Sequence, residues 1–105
     1  MNQLGNGLYS ASQYEDALSV QEAELSMARR LGASEREILR AQGNLAGTYQ
    51  IVGRAEEANR MLRDVYYGRL KLYGEEHSEF LTSASNYGSS LVDLERFEEA
   101  KSLLR

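Results

Sequence analysis

The sequence predicts an all-α fold in which three antiparallel helical hairpins, about six helices, stack into one solenoid. Three observations predict it: a motif that recurs at nearly constant spacing, apolar residues at helical intervals inside each recurrence, and a composition suited to soluble helices. The motif closes on Tyr14-Glu15-Asp16-Ala17, Ala55-Glu56-Glu57-Ala58 and Phe97-Glu98-Glu99-Ala100, so the closing alanines stand 41 and then 42 residues apart. A period of that size accommodates one helical hairpin, and stacked hairpins bury a face that none could bury alone. With no proline, 42% hydrophobic residues and 27% charged residues, the chain reads as one folded helical domain over residues 1–105.

Taken in order, helices are expected near 2–12, 14–31, 35–52, 55–73, 78–93 and 96–105, grouped as repeats 1–32, 33–74 and 75–105. The middle repeat shows the pattern most fully. Ile38, Leu45, Tyr49 and Val52 form one amphipathic stripe; Ala55, Ala58, Leu62 and Val65 form the next, with Gly53-Arg54 between them. Ser34 followed by Glu37 has the spacing of a capping box and marks the start of the first helix of that pair. Gly32 and Gly74 stand where the preceding helices should end. Ala46 and Gly88 lie one turn before Tyr49 and Leu91, and Ala17, Ala58 and Ala100 occupy the second helices, so small side chains let paired backbones approach closely. Compared with Leu45, Leu4 already sits in mid-helix, and Arg105 falls well before the equivalent of Gly74. Both terminal repeats are therefore expected to be truncated, with apolar ends available for self-association with a second copy.

Several function classes are disfavoured. Apolar runs reach only two or three residues, as at Ile51-Val52, against the roughly 20 needed to cross a bilayer, so no membrane role is expected. Twelve basic against sixteen acidic residues give a net charge of -4, which opposes binding to nucleic acid. The densest basic stretch, Arg29-Arg30 with Arg36 and Arg40, is interleaved with Glu24, Glu35 and Glu37 and reads as solvated helix surface. Zero cysteines leave no disulfide and no thiolate metal site, and Met1-Asn2-Gln3-Leu4 lacks the charge and apolar core of a secretion signal; a cytoplasmic location is expected. His77 is the only histidine and falls in a linker, with no serine or carboxylate at a spacing that ties it to a triad, so neither catalysis, metal nor cofactor is expected. The acidic pairs Glu15-Asp16, Glu56-Glu57 and Glu98-Glu99 fall in first helical turns, where the helix dipole favours negative charge. Of the seven tyrosines, Tyr14, Tyr49 and Tyr87 fall on packing positions, while Tyr9, Tyr66 and Tyr67 are candidate surface anchors.

The recurrent residues resemble the tetratricopeptide repeat, which pairs Leu-Gly and a tyrosine in its first helix with an aromatic-x-x-Ala step opening its second. The matches are Leu4-Gly5, Leu45-Ala46 with Tyr49, and Gly88 with Leu91, followed by the three closing motifs quoted above; they cover nearly the whole chain. The tryptophan of the signature and its terminal proline have no counterpart, and the period exceeds the usual length of about 34 residues. Longer units of this kind, and the run Tyr73-Gly74-Glu75-Glu76-His77-Ser78, resemble kinesin light chains. The resemblance implies a right-handed superhelix and a non-catalytic scaffold whose first helices line a concave groove for a protein or peptide partner. The alternative it implies is a regulatory segment of a larger signalling ATPase-type protein that packs on its own parent domains.

The groove face expected from this alignment comprises Arg40, Asn44, Gly47 and Gln50 in the middle repeat, Asn6 and Tyr9 in the first, and Thr82, Asn86, Ser89 and Asp93 in the third. Asparagine and glutamine offer both donor and acceptor to the main chain of an extended peptide, and Gly47 and Ser89 leave it room to approach. Asn6 and Asn44 match the asparagines of the carboxylate clamp of chaperone-adaptor domains. Its basic members do not carry over, since Asn2, Thr82 and Asn86 stand in their places. A structural role for Asn44 and Asn86, capping or bridging adjacent hairpins, is the competing reading.

Overall fold

The computed structural model describes residues 11–104. Five helices lie within them: α1 (Ala11–Arg30), α2 (Glu35–Ile51), α3 (Ala55–Tyr73), α4 (Ser78–Asp93) and α5 (Phe97–Leu104). There is no strand among the described residues, and the all-α architecture of consecutive packed helices is as expected. The helix expected near 2–12 lies outside the described residues, apart from Ala11 and Ser12, which belong to α1. Helix is therefore already formed three residues ahead of the position equivalent to Ala55 and Phe97. The middle unit breaks there at Gly53, with φ +84°, whereas its counterpart Ser12 stays helical. For a residue with a side chain the left-handed conformation costs roughly 1–2 kcal/mol more.

Local chemistry sets the other boundaries. At the start of α2 the Glu37 N–H donates to Ser34 Oγ at 3.2 Å and the Ser34 N–H donates to Glu37 Oε1 at 3.1 Å, a complete capping box. The α2–α3 turn closes with the Arg54 N–H donating to the Tyr49 carbonyl at 2.8 Å, which requires the left-handed residue supplied by Gly53. The α4–α5 turn repeats it: the Arg96 N–H reaches the Leu91 carbonyl at 2.8 Å, and Glu95 takes the left-handed conformation at φ 62°. His77 caps α4, its Nδ1 accepting from the Glu79 N–H at 3.0 Å while its ring stacks on Tyr73 at 4.2 Å. This is the capping role open to a lone histidine in a linker.

Packing is one-dimensional. The backbone of each described helix comes close only to its neighbours in sequence, with no such approach between α2 and α4 or between α3 and α5. The core is correspondingly two clusters. Leu18 and Leu25 of α1 meet Leu45 and Tyr49 of α2 and Ala58 of α3; on the other side, Ala46 of α2 and Leu62 of α3 join Tyr87 and Leu91 of α4 and Ala100 of α5. Met61 of α3 packs against both. Ala58 is 0% exposed and Ala100 is buried, while Ala17 is half-buried. Those contacts explain why the closing alanine of the motif is small: any larger side chain at residue 58 would push α3 off α2.

Polar links fix the helices against one another. Tyr49 Oη donates to Glu22 Oε2 at 2.7 Å, joining α2 to α1. Ser90 Oγ donates to Asn59 Oδ1 at 2.9 Å inside the core, joining α4 to α3. Arg69 donates to Ser83 Oγ at 2.9 Å and pairs with Glu79 at 3.6 Å, while Arg96 reaches back to Glu56 at 3.2 Å. A buried hydroxyl–amide pair contributes little net energy when made but costs about 1–3 kcal/mol when one partner is lost, so such pairs hold register more than they add stability.

The substitution Ala58→Leu is expected to lower unfolding free energy by about 1–3 kcal/mol through overpacking, read from the midpoint of urea unfolding. The same change at exposed Ala23 should stay within about 0.5 kcal/mol of the parent.

Candidate functional site

Helices α2 and α4 occupy equivalent places in successive units, and each turns its apolar stripe inward. On α2, Leu45, Ala46 and Tyr49 are buried, which leaves Arg40, Asn44 and Gln50 exposed and Gly47 half-buried. On α4, Tyr87, Gly88 and Leu91 are buried, and Thr82, Asn86, Ser89 and Asp93 are exposed. Arg40 and Thr82, Asn44 and Asn86, and Gly47 and Ser89 are each 42 residues apart, so the two helices present the same polar face in the same register. Asn6 and Tyr9 lie outside the described residues.

None of the side chains of Arg40, Asn44, Gln50, Thr82, Asn86, Ser89 and Asp93 is engaged in a hydrogen bond or ion pair with another described residue. Bridging between hairpins, the competing role for Asn44 and Asn86, is carried instead by Asn59 with Ser90 and by Arg69 with Ser83. The sequence does hold a signal for these bridges. Asn59 directly follows the buried Ala58, and Ser90 directly precedes the buried Leu91, so each is a small polar residue beside a packing position.

The glycines of this face differ from the one that packing explains. A Cβ added at Gly68 of α3 would come within 2.6 Å of Leu39 Cδ2, so that glycine lets α3 sit close against α2. Gly43 and Gly47 have nothing within 4 Å of the corresponding position. A glycine in a helix interior costs about 0.5–1 kcal/mol relative to alanine, and at these two positions no intramolecular contact offsets it.

Aromatic residues distribute differently from the expectation. Tyr49 and Tyr87 are buried, as their packing positions require, and Tyr14 is half-buried. Tyr66 is not a surface anchor. The second half of α3 faces α4, which draws its ring against Phe80 at 5.1 Å and Tyr87 at 5.5 Å, with Tyr67 edge-on at 4.9 Å. Tyr67 itself is 57% exposed and keeps the surface role; Tyr9 lies outside the described residues.

The clearest electrostatic feature is an ion pair at the start of α3. Hydrogen bonds from Arg54 hold the Glu57 carboxyl below the ordinary carboxylate range, and the same contact pushes the Arg54 guanidinium up. Both are surface groups, and Arg54 also lies over the Tyr49 ring at 4.8 Å. Among the described residues, no group of three or more His, Cys, Asp and Glu side chains is placed to hold a metal ion, and no helix is long and apolar enough to cross a membrane.

Helices whose backbones pack on their sequence neighbours, with one polar face repeated from α2 to α4, define an all-α helical-repeat architecture. Residues 38–79, which run from α2 through α3 into the start of α4, match the family model for the tetratricopeptide repeat. The match supports a tetratricopeptide-type repeat in that segment; repeats of this family usually mediate contacts between proteins and are generally not catalytic. No curated protein matches the chain.

Burial raises the phenol pKa of Tyr49, Tyr66 and Tyr87 above the ordinary value of 10.0, with the Glu22 carboxylate adding to the effect at Tyr49. A group whose pKa is higher when folded binds its proton more tightly in the native state. Its stabilisation is complete below the unfolded pKa and is lost as pH rises through the folded one. Stability is therefore expected to fall once pH passes about 10, checked by urea unfolding across an alkaline pH series, and the fall should be shallower in Tyr87→Phe.

Proposed function

We propose that the chain is a non-catalytic scaffold whose α2 and α4 faces together take an extended or helical segment of a partner protein. The observation that supports this most directly is the pair of helix-interior glycines, Gly43 and Gly47, on an outward face where nothing in the protein occupies the space they leave. A helix normally fills such positions with alanine or a longer side chain; leaving them bare makes sense where another backbone must come close. Asn44 and Asn86, free of internal partners, would supply donors and acceptors to that backbone, with Arg40 and Asp93 setting charge preferences at the two ends.

The finer assignment is to the long-period repeats of the kinesin light chain type, supported by spacings of 41 and 42 residues between closing alanines. A cytoplasmic place of action accords with the absence of cysteine.

Peptides selected from a random library on the unmodified chain provide the test. With Asn44→Ala and Asn86→Ala combined, their affinity should fall at least ~10-fold, the loss expected when about 1.4 kcal/mol of polar contact is removed. Gly47→Ala should weaken them as well, yet raise unfolding free energy by about 0.5–1 kcal/mol. Peptides that bind these variants and the parent equally would show that partners use another face.

A further inference from the structure

Helix α4 is held at its start by the chain's one histidine. His77 Nδ1 accepts from the Glu79 N–H at 3.0 Å, and the His77 backbone is extended, as a cap requires. The ring also lies on Tyr73, the last residue of α3, with centroids 4.2 Å apart and planes 19° from parallel. Since residues 74–77 are the whole connection, one side chain touches the end of α3 and the start of α4. The start of α2 is built differently. There Ser34 and Glu37 each accept from the other's backbone N–H, and the cap acceptor is a hydroxyl that keeps its lone pairs at any physiological pH. At α4 the residue three beyond the cap is Phe80, which has no polar group to return the contact. An acceptor at Nδ1 exists only in the neutral ring with its proton on Nε2; the imidazolium is a donor at both nitrogens.

We infer that the joint between α3 and α4 is a proton-operated switch with His77 as its sensor. When the ring takes up a proton, Nδ1 gains an N–H that opposes the Glu79 N–H, and a positive charge stands at the positive end of the α4 dipole. Both effects release the cap. The joint also offers the charged ring another set of partners. Exposed Glu75 and Glu76 lie in the linker and Glu79 in the first turn of α4, all within two residues of His77. The other charged groups at the joint are Lys71 and Arg69 of α3, and Arg69 is engaged with Ser83 and Glu79. Each protonation form therefore has its own contacts, which is the condition for a proton to shift the balance between two states. The neutral ring caps α4; the charged ring turns to the carboxylates and lets the first turns of α4 fray. Those turns carry Thr82, so the α4 half of the proposed binding face becomes proton-sensitive. That consequence rests on the face, whereas the switch itself does not.

The test follows the intact, unliganded chain by NMR from about pH 8 to about pH 5, the interval in which imidazoles titrate. The Glu79 amide resonance should move with the same midpoint as the His77 ring protons. The Leu81 amide, which donates to the His77 carbonyl, should exchange ~5-fold faster at the acid end after correction for intrinsic rate, the change expected of a lost cap. His77→Asn keeps an acceptor that does not titrate, so both responses should vanish while α4 stays capped. His77→Ala should show the faster exchange at both ends of the range. The proposal is overturned by a Glu79 amide that stays still while the ring titrates, or by His77→Ala exchanging like the parent at neutral pH. A step that survives in His77→Asn overturns it too, since Glu75 or Glu76 would then be responsible. Neither readout involves a partner, so the result is independent of whether the faces of α2 and α4 bind one.

Discussion

The packing of α3 is the constraint on which the rest depends. It lies between α2 and α4, gives Ala58 to one cluster and Leu62 to the other, and Met61 touches both. Close backbone packing among the described helices is confined to neighbours in sequence, and only side chains such as Ala46 of α2 reach a cluster beyond the next helix. In such an array the stability of each hairpin is set by its own interface and by the next one, and cooperativity across the whole is only as strong as the shared helix. That is why the small residue at 58 matters more than its size suggests. It fixes the distance at which α3 meets α2, and hence where α3 presents its opposite side to α4.

The same geometry separates two kinds of polar residue. On the inward side, Asn59 is paired with Ser90 and Tyr49 with Glu22 across helices. Leaving them unpaired would cost desolvation that the apolar contacts could not easily offset. Those on the outward side of α2 and α4 are left without partners among the described residues, and on α2 the face is thinned by Gly43 and Gly47. On α2 the two glycines forgo helix propensity in the same turns whose outward side chains form no internal hydrogen bond, while the equivalent positions on α4 are Ser85 and Ser89.

Much of the architecture was legible beforehand because it rests on periodicity and on end signals that are local in sequence. Ser34 with Glu37 locates the start of α2, Gly53 and Gly74 locate two ends, and the apolar stripes give the inward faces. The helical state of Ser12 was not legible, since alignment with Gly53 predicts a break there. Nor was the place of Tyr66, because a residue one turn from several others on the same helix can face either the next helix or solvent, and only the angle between α3 and α4 decides. The outward residues of α2 and α4 could be named in advance as a set, but their freedom from internal bonds depends on the lengths and directions of neighbouring side chains.

Native-state hydrogen exchange on the intact chain tests the shared-helix claim most directly. If α3 carries both clusters, its amides around Ala58 to Leu62 should be the slowest to exchange, with protection declining through α2 and α4 and lowest in α1 and α5. Protection in α1 or α5 equal to or above that of α3 would mean that the two halves are stabilised independently, and the account of a single seam running through α3 would be wrong.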